Sequence, residues 1–593
     1  MGRVPLQIKK RLVTAFVVFC AAMTVLCFRA GYIQIVMGEE YTKMAIEQQT
    51  RDELVEAKRG VIVDRNGNKL AVSTTRYAVW VRPGSLESST NESVNQKNKN
   101  KVISGLTEIL DVDAEKLRSD FNSGKTLVKV TNNVDRKTAD QVRTWAANNG
   151  YDAVSVSEET KREYPLDDTA AHVLGSVTEE GNGLSGLELY YNNYLKGIPG
   201  RWIQNKDASG RSLSYGRSKY YEAEDGATLV LTIDIAIQGY VEEVVEATAQ
   251  KYKAEEVTCI VMDTKSGEIL AMANYPDYNP NNAREPLAED KKDFDKMSEE
   301  EQLDYLNDMW RNPAVNDTYV PGSTFKLITT SSVLEEDMVG EDETFYDSGS
   351  INVSGVNLHC WNTANPHGTQ NLREAVKNSC NPVFVQLAQR LGINKFYDYI
   401  GLFGYMEPTG IDYPGEATAI LQDKEAAGPV GLATMGFGQG IAVTPIQQIT
   451  AVNAIANGGM LVQPHLVKRI ESPDGEVIKE FEPVEVRRVV SEKTAKQVCD
   501  IMGYVIDAGG EGSMKIDGLR YGGKTGTANI EAEKNKIIAS FVGVAPIEDP
   551  EISVLFLVRN PKGGIYGSTV AAPSGRQIIE NTMRYLTIEK ADK

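Results

Sequence analysis

Paired cysteines are missing from this sequence. It holds six cysteines, none in a C-x-x-C pair, and only four histidines, scattered without ligand-like spacing. A structural zinc or a metal-hydrolase centre is therefore not expected, and no cofactor is implied. Basic residues are outnumbered, 63 Lys and Arg against 82 Asp and Glu. The resulting net charge of −19 argues against a nucleic-acid surface, which rests on clustered Lys and Arg. Internal repeats and low-complexity tails are also lacking, so neither a repeat array nor a biased segment has to be accounted for.

One unbroken apolar run is present. Leu12 to Phe28 has no charge, proline or glycine and lies at the short end of a bilayer-spanning helix. Beyond Arg29, which can snorkel to the interface, apolar character resumes through Tyr32, Ile33, Ile35, Val36 and Met37. Arg3, Lys9, Lys10 and Arg11 precede the run, and positive charges flanking a first helix stay in the cytoplasm. The expectation is a cytoplasmic tail over 1–11, a single-pass cell-membrane anchor over 12–37, and an extracytoplasmic remainder. A cleaved signal peptide is the rival, but the run exceeds a normal signal core and no clear A-x-A site follows. Lipidation at Cys27 fits poorly with the bulky Leu26 before it.

The 593 residues exceed what one hydrophobic core normally organises, so two or more domains are expected, and the 41% hydrophobic and 24% charged composition is that of a globular protein. Val61–Val63 and Leu70–Val72 flank Arg65-Asn66-Gly67-Asn68, a hairpin signal, and Tyr77 to Arg82 reads as a further strand. Polar Ser85 to Lys101 lacks periodicity and reads as an exposed loop. As far as Gly226 no nucleophile–base set emerges, so residues 50–225 read as a structural or interaction module. A second unit, 226–587, opens with Asp234 as N-cap to a helix carrying Ile237, Tyr240, Val241, Val244 and Val245. Glu256–Met262, Glu268–Ala273, Ile537–Val544 and Ile552–Val558 read as strands, and Ser298 with Glu301 as the capping box of a surface helix. Strands, then helices, then strands again predict an α+β domain with an antiparallel sheet.

Chemistry concentrates in three short motifs. Pro321-Gly322-Ser323-Thr324-Phe325-Lys326 puts Ser323 and Lys326 on one face if a helix starts at Ser323. A serine hydroxyl needs a base, and a lysine can be one if burial and a nearby positive charge lower its pKa. Alone, S-x-x-K also describes any surface Ser and Lys on a helix. Ser379-Cys380-Asn381 adds a hydroxyl to relay a proton and an amide to grip a substrate carbonyl. Lys524-Thr525-Gly526-Thr527 adds positive charge, room for substrate backbone and hydroxyls for a carboxylate, with Lys524 and Gly526 facing one way in an extended segment. The ordered set S-x-x-K, S-x-N, K-T-G is a known signature of penicillin-binding proteins and class A β-lactamases.

The chain closely resembles the class B penicillin-binding proteins over essentially its whole length. Arg59-Gly60-Val61-Ile62-Val63-Asp64-Arg65-Asn66-Gly67 is similar to the family's R-G-x-I-x-D-R-N-G. Gly186-Leu187-Glu188, with Leu195-Lys196-Gly197 and Gly200, is similar to its G-L-E…L-x-G…G signature, and Gly438-Gln439-Gly440 with Thr444-Pro445 to its G-Q-G…T-P stretch. The resemblance implies a membrane anchor, an elongated pedestal (dimerisation) domain and a transpeptidase domain of β-lactamase-like fold. It also implies no glycosyltransferase domain, hence a separate membrane glycosyltransferase partner. Its motifs resemble the sporulation-type and the elongation-type members about equally, and Ser-Cys-Asn with the nearby Cys360 tilts the resemblance toward the sporulation type. The chain stops soon after the transpeptidase domain, leaving no room for the appended repeats of some relatives.

By that resemblance, Ser323 attacks the D-Ala-D-Ala carbonyl of a peptidoglycan stem peptide on lipid-linked precursor strands, with Lys326 as base and Ser379 as proton relay. Asn381, Lys524, Thr525, Gly526 and Thr527 bind substrate, and a β-lactam inhibits by acylating Ser323. A D,D-carboxypeptidase or β-lactamase on the same scaffold is one rival, and a catalytically silent β-lactam sensor or scaffold another. The intact motifs oppose the silent reading; the anchor, the pedestal and the lack of a recognisable deacylating Glu oppose the β-lactamase. Cys360 and Cys380 lie in the exported part, where disulfides persist, and Cys380 is inside S-x-N, so the pair is a candidate disulfide switch against the plainer reading of two buried thiols. Cys259 and Cys499 sit in apolar runs and read as core.

Overall fold

The computed structural model describes residues 6–38, 41, 50–87, 91–205, 219–340, 342–509, 514–530 and 536–592. Two compact units divide the chain: Met1–Ala57 with Gly197–Asp225, and Lys58–Lys196 with Gly226–Lys593.

In the first unit the apolar run forms a helix, Leu6–Gly31, continued by a π turn, Tyr32–Val36. Its Phe16, Val25 and Phe28 are exposed, and the stretch Lys10–Val36 is long and apolar enough to cross a membrane. Thr14 and Thr24 donate their hydroxyls back to the carbonyls of Lys10 and Cys20, so these polar groups are satisfied within the helix, as a bilayer requires. Strands Thr50–Val55, Gly200–Asn205 and Lys219–Tyr221 form a small sheet with Gly200–Asn205 in the middle.

In the second unit the expected hairpin is present, Ile62 pairing with Ala71. The strand expected over Tyr77–Arg82 is the far half of one long strand, Lys69–Val81, which pairs with Val154–Glu163 and Val128–Val134. The loop expected over Ser85–Lys101 is overturned: a 3-10 turn at Pro83–Leu86 is followed by a helix, Glu92–Leu110, capped by Asn91. Its buried stripe is Asn95, Lys99, Val102, Ile103 and Leu106, and the two polar members hide the apolar period. Lys99 is tolerated there because its ammonium reaches Glu87 at 2.5 Å.

Two of the family-like motifs meet in space. Arg59 and Arg162 donate from Nε to opposite oxygens of fully buried Glu188, at 2.5 and 2.6 Å. Arg59 also reaches the Glu188 carbonyl and Asn192, and Arg162 the Gly60 carbonyl. A carboxylate inside protein needs such charged partners, and here it has two.

The α+β expectation holds. Five antiparallel strands run in the order Ile269–Tyr275, Glu256–Asp263, Ile552–Arg559, Ile537–Ala545, Gly522–Asn529. Alternate residues enter two cores: Cys259, Val261, Phe541 and Phe556 pack with helices Ile235–Tyr252 and Ala572–Asp592, while Ile260, Met262, Val542 and Leu555 belong to the larger helical core. Burial on both faces is why these strands read as continuous apolar runs rather than alternating ones. Asp234 caps its helix as expected, accepting from the Ala236 and Ile237 amides. The Ser298–Glu301 capping box is formed on a surface helix, Glu299–Trp310, that buries only Leu306 and Trp310. Cys259 and Cys499 are core, as read.

Candidate active site

Ser323 lies in a 3-10 turn, Gly322–Phe325, that runs into the α-helix Lys326–Glu335, so the α-helix begins three residues later than expected. The turn is pinned from below. The Gly322 amide donates to the Gly438 carbonyl at 3.0 Å, and Gly438 approaches so closely that a Cβ there would lie 1.9 Å from the Gly322 carbonyl oxygen. The G-Q-G loop is thus fixed beside the serine by backbone contact.

The three motifs converge. Fully buried Lys326 donates from Nζ to the Ser379 carbonyl at 2.7 Å, the Ser379 hydroxyl at 3.1 Å and Asn381 Oδ1 at 2.8 Å. Lys524, also buried, donates to the same Ser379 hydroxyl at 3.2 Å and to the Thr525 carbonyl at 2.8 Å. Ser379 has φ +52°, a left-handed conformation rare outside glycine, in the turn that joins helix Leu372–Lys377 to helix Asn381–Leu402. Asn381 is braced by a bond from Nδ2 to the His359 carbonyl.

None of these lysine contacts is to a carboxylate. Burial, followed by the positive charge of Lys524, pushes Lys326 well below the ordinary lysine value, and burial alone pushes Lys524 down to about 7. A neutral amine can accept the proton that an ammonium cannot.

K-T-G lies within the edge strand Gly522–Asn529. At Gly526 a Cβ would lie 2.3 Å from Ser540 Oγ and 3.0 Å from the Pro321 carbonyl, so only glycine fits. Thr527 accepts a bond from the Gly567 amide at 3.0 Å. Ser323, Ser379, Asn381, Thr525, Gly526 and Thr527 line one cleft of about 500 Å³. Residues without any sequence signal complete it: exposed Trp361 and Tyr566 face each other across its mouth with ring centroids 6.3 Å apart, and Trp361 Nε1 donates to the Asn378 carbonyl.

Cys360 and Cys380 are brought together, both buried and both free. Although the sequence has no ligand-like spacing, the fold gathers four potential ligands: Asp347, His367 and the two cysteines each offer a donor atom, and all four atoms lie within 4.8 Å of one another. The residues come from separate turns and strand ends, so their spacing in the sequence carries no pattern. Cys360 is pushed down to about 6, first by its hydrogen bond with Cys380, whose own value rises. Burial raises Asp347, but bonds from the Gly349 amide and His367 outweigh it and hold it at about 2.

Comparisons with known proteins agree with this geometry. The penicillin-binding protein transpeptidase domain matches residues 257–580, and the penicillin-binding protein dimerisation domain residues 54–231. The chain is 36% identical to stage V sporulation protein D of Bacillus subtilis over 97% of its length and 85% of that protein's. It is 27% identical to a probable peptidoglycan D,D-transpeptidase, PenA, of Neisseria gonorrhoeae, covering 98% of this chain and 95% of the other. Penicillin-binding protein 3 of Mycobacterium tuberculosis, solved in complex with aztreonam, matches with TM-score 0.65 and 25% identity over 90% of this chain and 98% of that one.

Proposed function

From the premise that the chain belongs to the class B penicillin-binding proteins, peptidoglycan D,D-transpeptidases, we propose that it cross-links stem peptides through an acyl-enzyme on Ser323. The observation that carries this reading is the pair of buried lysines sharing one serine hydroxyl beside the Ser323 turn. Lys326, kept neutral, takes the Ser323 proton as the hydroxyl attacks the carbonyl between the last two D-alanines. Ser379, in contact with both lysines, passes a proton to the leaving amine, and D-alanine departs. The amides of Ser323 and Thr527 stabilise the oxyanion, each donor worth about 3 kcal/mol. Lys524, Thr525 and Thr527 hold the terminal carboxylate and Asn381 the peptide carbonyl, while Gly526 leaves room for the turn that carries Ser323. An amino group of a second stem peptide then takes the acyl group; water in its place gives the carboxypeptidase product.

A β-lactam presents the same carboxylate and amide but keeps its leaving group tethered, so its acyl-enzyme persists. The N-terminal helix anchors the chain with its basic end in the cytoplasm, and a membrane glycosyltransferase supplies the glycan strands. Likeness to the Bacillus sporulation protein supports a role in the spore cortex. The decisive experiment is fluorescent-penicillin labelling of Ser323→Ala. Labelling is expected to vanish while the circular dichroism and melting of the protein stay native; covalent labelling of the folded variant would place the nucleophile elsewhere.

A further inference from the structure

Four potential ligands converge beside the catalytic turn, and no step of the reaction uses them. Asp347 ends the strand Thr344–Asp347, Cys360 follows the hairpin strand Val356–His359, His367 precedes the strand Gly368–Asn371, and Cys380 sits between Ser379 and Asn381. Among the described residues this is the one close grouping of three or more His, Cys, Asp or Glu donors. Asp347 and Cys380 are fully buried, Cys360 is 2% exposed, and the His367 side chain 10%. A solvated acidic patch is thereby excluded.

All six donor–donor distances are within 4.8 Å, and two can be set against the edges of a tetrahedron around one ion. Zinc with bonds of about 2.3 Å to sulfur and about 2.05 Å to nitrogen or oxygen sets edges of about 3.6 Å between S and N and about 3.3 Å between N and O. Cys360 Sγ lies 3.5 Å from His367 Nδ1, at the first value. His367 Nδ1 lies 2.8 Å from Asp347 Oδ2, so a proton now bridges them and the pair must open by about half an ångström to admit a metal. Asp347 is already oriented from behind: the Gly349 amide donates to Oδ1 at 2.7 Å and the His367 amide to Oδ2 at 3.2 Å.

We propose that Asp347, Cys360, His367 and Cys380 form a closed tetrahedral zinc site that fixes the Ser379–Asn381 turn. Two thiolates select a soft divalent ion and reject magnesium or calcium, and four protein ligands leave no open position, so the site is structural. On binding, each thiol gives its proton to solvent and forms a sulfur–zinc bond, and the proton between His367 and Asp347 is displaced so that the imidazole binds through Nδ1 as the neutral Nε2–H tautomer. Cys380 couples the ion directly to its neighbours Ser379 and Asn381. Cys360 couples it to both flanks of the turn, because His359 accepts from Asn381 and Trp361 donates to the Asn378 carbonyl. The proposal also sets the fate of the cysteine pair. A disulfide requires sulfurs about 2.05 Å apart, whereas zinc holds them at about 3.8 Å, so metal and disulfide exclude one another.

The functional half of the proposal rests on Ser323 chemistry; the metal half does not, and the test separates them. Full-length protein in detergent, purified reduced and without chelator, is assayed for zinc by mass spectrometry, then stripped and reloaded with cobalt. About one zinc per chain is expected, together with the thiolate-to-cobalt charge-transfer band of a tetrahedral site. Ser323→Ala should hold as much metal as the native chain, and Cys360→Ser and His367→Ala at least tenfold less. Should those two variants fail to fold, the cobalt spectrum of the native chain remains decisive. Stripping should slow penicillin acylation roughly 10- to 100-fold, with zinc restoring it. A reduced native chain that takes up neither zinc nor cobalt, or one isolated metal-free with Cys360 and Cys380 disulfide-bonded, would overturn the site. Full occupancy with no change in acylation would overturn its coupling to the turn.

Discussion

Among the described residues, two places bury a pair of basic side chains, and they treat them oppositely. Arg59 and Arg162 close on Glu188, a carboxylate with no exposed surface, and their charge is matched on the spot. Lys326 and Lys524 close on the hydroxyl of Ser379, which carries no charge, and both are pushed below the ordinary lysine value. Guanidinium keeps its proton in either setting, whereas an ammonium without a counter-ion sheds it. A matched cation is architecture. An unmatched lysine becomes a base.

The comparison breaks most visibly at Lys326. Replacing it by alanine removes the base and should slow acylation by about 10²- to 10⁴-fold, read from the rate of fluorescent-penicillin incorporation. A loss of under tenfold in a folded variant would mean that the unmatched lysine is not the base. Next comes Glu188→Gln, which leaves two buried guanidiniums facing an amide. A stability loss of about 3–5 kcal/mol is expected in thermal or denaturant melting, with the acylation rate per folded molecule unchanged, since Glu188 does not line the cleft. The smallest effect is in the pH profile. Acylation should rise as Lys326 loses its proton, at a pH well below the ordinary lysine value of 10.5, and fall above about 7 as Lys524 loses the charge that holds the carboxylate. Lys524→Arg should flatten the alkaline limb, because a guanidinium does not titrate there. An alkaline limb that persists unchanged in this variant would assign it to another group.

The lysine cluster was far more legible in the sequence than the arginine network or the metal ligands. Catalysis needs particular side chains at short fixed offsets, so Ser323, Lys326, Ser379, Asn381 and Lys524 stand out as motifs before any folding is considered. The central strands were legible because burial on both faces makes them continuously apolar. Helix Glu92–Leu110 was not, since Asn95 and Lys99 occupy its inner face and a window of such residues reads as a loop. Arg59 and Glu188 were visible as separate motifs, yet their pairing spans 129 residues and belongs to the fold alone. The same holds for His367, which is joined to Asp347 across 20 residues by a strand pairing that nothing local announces.

The cleft floor is packed tightly at two glycines, which restricts what selection can do with it. At Gly526 and at Gly438 the first carbon of any larger side chain would strike Ser540 or the Gly322 carbonyl. A lineage pressed by β-lactams therefore cannot evade them by narrowing the floor under the serine without displacing the serine itself. Variation is more open at the rim, at Tyr566, which is 49% exposed, than at Trp361, which is 57% exposed but is tied to the Asn378 carbonyl. Resistance in this protein has to be negotiated at its lips.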